Sequence, residues 1–202
     1  MSKPYRLAKG GRFVDRSKKV TFSFDGRTLS GFEGDTVASA VLASGQRVFG
    51  RSFKYHRPRG VIGLGSEEMN ALVGVGEGAR HEPNLRATQV EIFNGLSAVS
   101  QNRWPSLNWD VGAINNSLSR FFPGGFYYKT FMWPQSFWKH VYEPFIRRAA
   151  GLGKAPEGRD PDSYEQIHVH CDVLVIGGGV AGLAAAEAAA ANGAKVILAD
   201  EN

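Results

Sequence analysis

The sequence predicts two folded parts in series: an α+β module, then the opening βαβ of an α/β nucleotide-binding domain. Two patterns carry this reading. Val20, Phe22 and Phe24 alternate with Thr21 and Ser23, the period-two signature of a strand with one buried face. Farther on, the near-continuous apolar run 172–176 leads into Gly177-Gly178-Gly179-Val180-Ala181-Gly182, as when a buried parallel strand feeds a glycine-rich phosphate loop. Composition agrees with an ordered chain. With 43% hydrophobic and 21% charged residues among 202, there is enough chain for one or two domains. Twenty-five glycines and nine prolines are too few for collagen-like or low-complexity classes.

The elements of the first part follow in order. Folding is expected to begin near Lys19. Asp25-Gly26 supplies the turn pair favoured in tight hairpins, and Thr28-Leu29-Ser30-Gly31-Phe32 reads as the returning strand. Asp35 is placed to N-cap a short helix carrying Val37, Ala40 and Val41, with Gly45 to stop it. The apolar runs 71–75 and 88–93 read as later strands. Hairpin, helix and later strands make an α+β module of β-grasp type. Between those runs, 57–70 is a glycine-rich loop flanked by charges.

Charge is unevenly spread. Residues 1–60 hold 13 Lys/Arg against 4 Asp/Glu, whereas the remainder holds 11 against 15. The first 18 residues therefore read as a basic arm. Its cations are scattered rather than set along one helical face, and no zinc-finger, homeodomain or RNP spacing accompanies them, so nucleic-acid binding is not expected. From Trp104 to Phe145 lie all four tryptophans and 13 of the 23 aromatics. Packing in an irregular core, an interface with another subunit or with a missing domain, or a base- or flavin-stacking site would each account for them. No run reaches 18 apolar residues, so no membrane span is expected. The Gly-, Pro- and charge-rich stretch 151–164 marks a linker. His168, His170 and Cys171 follow, but alternation along an extended chain puts the histidines opposite the cysteine, and no metal site is expected. A single cysteine excludes a disulfide framework and a cysteine-ligated iron–sulfur cluster made by this chain alone. With no apolar leader after the opening Met-Ser-Lys-Pro-Tyr-Arg, the expected location is cytoplasmic.

The glycine fingerprint carries the chemistry. Gly177 permits the turn out of the strand, Gly179 lets backbone approach a pyrophosphate, and Gly182 lets the helix pack closely on the strand. Gly178 lies beside them as a backbone neighbour. The helix N-terminus receives the phosphates. An alanine-rich helix to Ala191, the stop Asn192-Gly193 and the strand 195–199 follow. Asp200, 18 residues after Gly182, stands where an acid accepts the ribose hydroxyls and repels a 2′-phosphate, favouring NAD or FAD over NADP. Glu201 takes that place if the strand register slips by one. These six are the expected cofactor contacts. No catalytic residue and no metal ligand is assigned.

A family resemblance adds to this reading. Asp25-Gly26, Glu33-Gly34-Asp35-Thr36 and Arg57-Pro58-Arg59-Gly60 resemble the [2Fe–2S] ferredoxin-like module of certain amine-oxidising flavoenzyme subunits. The cluster cysteines of that module align with Gly63, Glu67, Asn70 and Thr88, none a thiol, which implies the fold without an iron–sulfur cluster. Together with the phrases 102–107, 125–131 and 142–148 and the fingerprint, the chain resembles the N-terminal portion of the alpha subunits of the heterotetrameric sarcosine oxidase family. The resemblance implies a complex that oxidatively demethylates sarcosine to glycine, passing electrons through flavins to oxygen. Hydrogen peroxide is formed, and tetrahydrofolate accepts the one-carbon unit. It further implies NAD at the fingerprint, and FAD and FMN elsewhere, in or against a flavin-bearing beta subunit. The expected organisation is a basic arm over 1–18 and a ferredoxin-like β-grasp unit over 19–100. An aromatic connector over 101–163 and the first βαβ of a truncated dinucleotide domain over 164–202 complete it. A subunit of another flavin-dependent amine dehydrogenase, or a non-catalytic docking module, is the alternative.

Overall fold

A computed structural model describes residues 5–121, 125, 131–149, 151, 153–156 and 158–200. The chain divides into two compact units, Met1–Pro161 and Asp162–Asn202.

The first unit is built on a mixed five-stranded sheet. Strands β1 (Asp15–Phe24) and β2 (Arg27–Glu33) form an antiparallel hairpin. Its turn needs two left-handed residues, which Asp25 (φ 50°) and Gly26 (φ 75°) supply. β1 starts at Asp15, before the expected Lys19, and a register shift between Asp15 and Lys19 joins this lead to the regular ladder. Two short ladder strands follow, β3 (Gly50–Arg51) and β4 (Pro58–Arg59), which pair with each other. Strands β5 (Leu72–Val75), β6 (Glu82–Arg86) and β7 (Ser97–Ser100) complete the main sheet in the order β2-β1-β7-β5-β6. β7 runs parallel to β1 and antiparallel to β5.

Helix α1 (Val37–Ala43) buries Val37, Ala38, Ala40 and Val41. They pack with the inward residues Val20, Phe22 and Phe24 of β1 and with Phe49, Val73 and Leu96 in one core. Phe24 and Phe49 meet edge to face, ring centroids 5.8 Å apart. The N-cap of α1 is Thr36 rather than the expected Asp35. Thr36 and Ser39 form a reciprocal capping box. Asp35 is drawn under the hairpin instead, accepting from Phe32 N–H (2.9 Å) and Ser39 Oγ (2.7 Å) and from both terminal nitrogens of Arg6.

The expected strand over 88–93 does not form. The strand lies earlier, at β6, and its alternating half-buried pattern is short and polar, with Pro83 and Asn84 inside it. Residues 87–92 instead cover α1 by loop bonds, Ala38 N–H to Ala87 O (2.7 Å) and Val37 N–H to Val90 O (2.8 Å). Backbone pairing beyond a hydrophobic run decided this, and periodicity does not register it.

Beyond β7 come short helical turns, α2 (Ile114–Ser117), and a π-helical turn (Trp138–Tyr142) leading into α3 (Glu143–Ala149). Trp104, Trp109, Trp133 and Trp138 are exposed, Trp133 to 83%. The tilted rings of Phe131, Tyr142 and Phe137 pack locally, with centroids 5.2 and 6.2 Å apart. The described aromatics of this segment thus lie mostly at the surface with a small ring cluster, whereas Leu107 joins the core of the first unit and Asp110 is buried. Most of 125–131 lies outside the described residues.

The second unit is a βαβ: β8 (Val173–Ile176), α4 (Val180–Ala191) and β9 (Val196–Ala199), with β8 and β9 paired in parallel. No described helix is long and apolar enough to cross a membrane.

Candidate functional site

The βαβ assembles the fingerprint from its strand ends. Gly177 closes β8, its N–H donating to Ala199 O (2.8 Å). Its φ of 105° is a conformation that side chains resist, so glycine is required to turn the chain off the sheet. Gly179 is the N-cap of α4 and offers no side-chain cap, leaving the first-turn N–H groups to a ligand or water. A Cβ on Gly179 would meet nothing within 4 Å. Protein packing therefore does not require glycine there, whereas the close approach of a ligand to the backbone would. Gly182 is different: a Cβ would collide with the Gly177 carbonyl and touch Val175. It lies in the first turn of α4 and sets how closely helix and strand approach. The donor set at this helix N-terminus, backbone N–H groups without a side-chain cap, fits a dinucleotide pyrophosphate.

Asp200 follows β9, and its carboxylate accepts the Gly178 N–H across the mouth of the loop. A Cβ at 178 would meet only the Asp200 carboxyl, which would have to shift to make room. The acid and the glycine turn are thus brought together, with Asp200 resting on the loop. Receiving a ribose would require its carboxylate to turn from Gly178 toward the hydroxyls. Glu201 lies outside the described residues. His168 and His170 are exposed and Cys171 is intermediate, and among the described residues no group of three or more His, Cys, Asp or Glu is placed to hold a metal ion.

Sequence reasoning missed a second polar node. Asp110 is buried. Its Oδ2 lies 2.7 Å from His56 Nδ1, and its Oδ1 accepts Trp104 N–H (3.1 Å) and Gly112 N–H (3.0 Å). A carboxylate only accepts, so His56 carries a proton on Nδ1. Arg51 Nε stands 3.8 Å from the same carboxylate, and its guanidinium donates to the Leu107 and His56 carbonyls. Fifty-four residues separate His56 from Asp110, and no local spacing signals such a pair.

Residues 17–103 match the family described as 2Fe-2S iron-sulfur cluster binding domain. Residues 166–202 match the family described as alanine dehydrogenase/PNT, C-terminal domain. The chain is 61% identical, over 98% of its length, to a sarcosine oxidase subunit alpha of Rhizobium meliloti (strain 1021), covering 20% of that protein. It is 36% identical to the sarcosine oxidase subunit alpha of Corynebacterium sp. (strain U-96), over 100% of the chain and 16% of the relative. For the subunit from Corynebacterium sp. (strain P-1) the identity is 38%, over 93% and 15%. The chain thus spans a fifth or less of the length of these relatives. Among solved structures, L-proline dehydrogenase from P. horikoshii shows 26% identity over 42% of this chain and 16% of that one, with a TM-score of 0.34. The relatives bear out the resemblance drawn from the sequence.

One expectation is corrected. A module with no iron–sulfur cluster was expected from the missing thiols, but the family matched over 17–103 is an iron–sulfur one. The donor set bears on the fit. The single cysteine, Cys171, lies outside that segment. Glu67 and Thr88 at the aligned positions are engaged with the backbone, Glu67 accepting from Leu64 and Gly65 and Thr88 donating to Gly65 O. These residues do not fit thiolate ligation.

Proposed function

We propose, from this homology to sarcosine oxidase alpha subunits, that the chain serves as the N-terminal part of such a subunit. The observation that carries the reading is 61% identity sustained over 98% of the chain. The complex so formed demethylates sarcosine oxidatively to glycine, passes electrons through flavins to oxygen, and yields hydrogen peroxide with a one-carbon unit for tetrahydrofolate. Within it, residues 1–18 are a basic arm and 19–100 a ferredoxin-like β-grasp scaffold. The strand order β2-β1-β7-β5-β6 with α1 packed on the sheet supports that scaffold. The connector 101–163 presents its exposed tryptophans to other subunits, the flavin-bearing beta subunit above all. The segment 164–202 opens a Rossmann-type domain.

At that domain the chain's own part is binding. Gly177, Gly178, Gly179 and Gly182 shape the phosphate loop, the α4 N-terminus attracts the pyrophosphate, and Asp200 or Glu201 holds the ribose. NAD, or FAD, bound there supplies a redox-active dinucleotide. The chain contributes no catalytic residue. The whole assembly is a cytoplasmic heterotetramer.

Co-expression with the flavin-bearing subunit tests the reading. The expected result is co-purification and sarcosine-dependent peroxide. A chain that never associates with a flavoprotein overturns it. NAD released on denaturing the complex should disappear with Gly179→Val, and retention of NAD by that variant contradicts the site. The iron–sulfur match favours one second reading, a subunit of another flavin-dependent amine dehydrogenase. Non-haem iron in the complex, with amine oxidation but no peroxide, selects it.

A further inference from the structure

Between β4 and β5, the segment 61–71 closes around a single side chain. Glu68 is only 1% exposed, yet its carboxylate accepts four backbone N–H groups. Oε2 takes Ile62 and Gly63, both at 2.7 Å, and Oε1 takes Asn70 at 2.6 Å and Ala71 at 3.0 Å. Glu67 organises the tip in the same way, its Oε1 accepting from Leu64 (2.6 Å) and Gly65 (3.1 Å). From outside the loop, Thr88 Oγ1 donates to Gly65 O (2.8 Å), and Arg86 Nε to the Glu68 carbonyl (3.2 Å).

Each half of this arrangement is unfavourable alone. A buried carboxylate without partners carries a large desolvation cost, and so do convergent buried N–H groups without acceptors. An ionised carboxylate has about four lone-pair sites, and here all four are matched. We propose that Glu68 is the internal anion on which the 61–71 loop is built, holding N–H groups that would otherwise face an external anion. The charged groups beside it are Glu67, whose like charge opposes it, and Arg86, which reaches only its backbone carbonyl. Burial pushes the Glu68 carboxyl up, but the N–H groups of Gly63, Asn70, Ala71 and Ile62 outweigh burial and hold it below the usual carboxylate range. The four N–H bonds therefore hold the loop closed throughout the neutral range, and it opens only below the ordinary glutamate range.

Amide hydrogen exchange of the full chain tests this. Glu68→Gln keeps the shape but turns a donor toward two of the N–H groups. It should speed exchange at residues 62, 63, 70 and 71 by about tenfold or more at neutral pH, leaving β1 and β2 unchanged. Glu67→Gln should affect only 64 and 65. Glu68→Ala empties the nest, and added formate or acetate should restore protection in a concentration-dependent way while chloride does not. Should neither Glu68 variant fold, the wild-type chain still decides: loop protection should persist below the ordinary glutamate pKa of about 4.3 before it is lost. Three results would overturn the proposal. They are exchange in Glu68→Gln within about twofold of wild type, a folded Glu68→Ala indifferent to small carboxylates, and loop protection that fades at or above the ordinary glutamate pKa.

Discussion

Single side chains in this molecule matter most where a buried carboxylate gathers several donors. Asp35 shows the logic. Burial pushes its carboxyl up, but the Arg6 guanidinium, the Phe32 N–H and the Ser39 hydroxyl prevail and hold it below the ordinary range. A depressed folded-state pKa means that the stabilisation is present above the unfolded value, about 3.9, and lost as pH falls through the folded one. Arg6→Leu is expected to lower stability by about 1–3 kcal/mol at neutral pH, with the deficit shrinking as Asp35 protonates. Urea midpoints of both proteins at pH 7 and pH 3 check this, and an equal deficit at both would refute it. The Asp110 node makes a parallel case. Asp110→Ala strands His56 and the N–H groups of Trp104 and Gly112, and should cost about 3–5 kcal/mol; Asp110→Asn, which keeps one acceptor, should cost less. Neither node was legible in the sequence. Asp35 reads there as a helix cap because acid, threonine and an apolar helix stand in order. Its actual partner, Arg6, is 29 residues away, and only the folded hairpin brings the two together.

At the scale of elements, legibility followed burial in the first unit and local motif in the second. β1 was readable because Val20, Phe22 and Phe24 all face one core. The βαβ was readable because a parallel strand, a glycine turn and a helix each leave a strong local mark. β6 left none, since its residues are mostly exposed and its partner strand, not its composition, makes it a strand. Close approach between elements yields a prediction of its own. Gly31 of β2 lies beneath α1 and the 87–92 loop, where a Cβ would meet Ile92 Cδ1 at 2.6 Å, Asp35 Oδ2 at 3.0 Å and Ala40 Cβ at 3.1 Å. Gly31→Ala should therefore overpack this layer and cost about 1–3 kcal/mol. Ile92→Val, which shortens the side chain in nearest contact, should recover part of that loss. A double-mutant cycle on thermal or urea unfolding measures the coupling, and strictly additive effects would show that the crowding is relieved elsewhere.

The two units differ in how well each covers itself. In Met1–Pro161 the sheet, α1 and the loops bury a continuous core in which Phe24, Val37, Val41, Phe49 and Val73 lose all exposure. In Asp162–Asn202 one helix and two strands cannot do this. Ile176 remains 84% exposed and Val180 89%, and no residue of α4 is buried. The alanine-rich α4 has no distinct apolar stripe. Two-stranded sheets are marginal by themselves, so in the 202-residue chain this unit should open far more readily than the first. Amide exchange should show β8 and β9 at least about a hundredfold less protected than β1, β5 and β7. A dinucleotide that binds only the closed βαβ must raise that protection in proportion to its concentration over Kd. Titrating NAD while following exchange at residues 173–176 thus tests site and stability together. A rise that Gly179→Val abolishes supports the phosphate-loop assignment. Protection of β8 equal to that of β1 without ligand would show that the βαβ is stable unaided, and the argument from its open faces would fail.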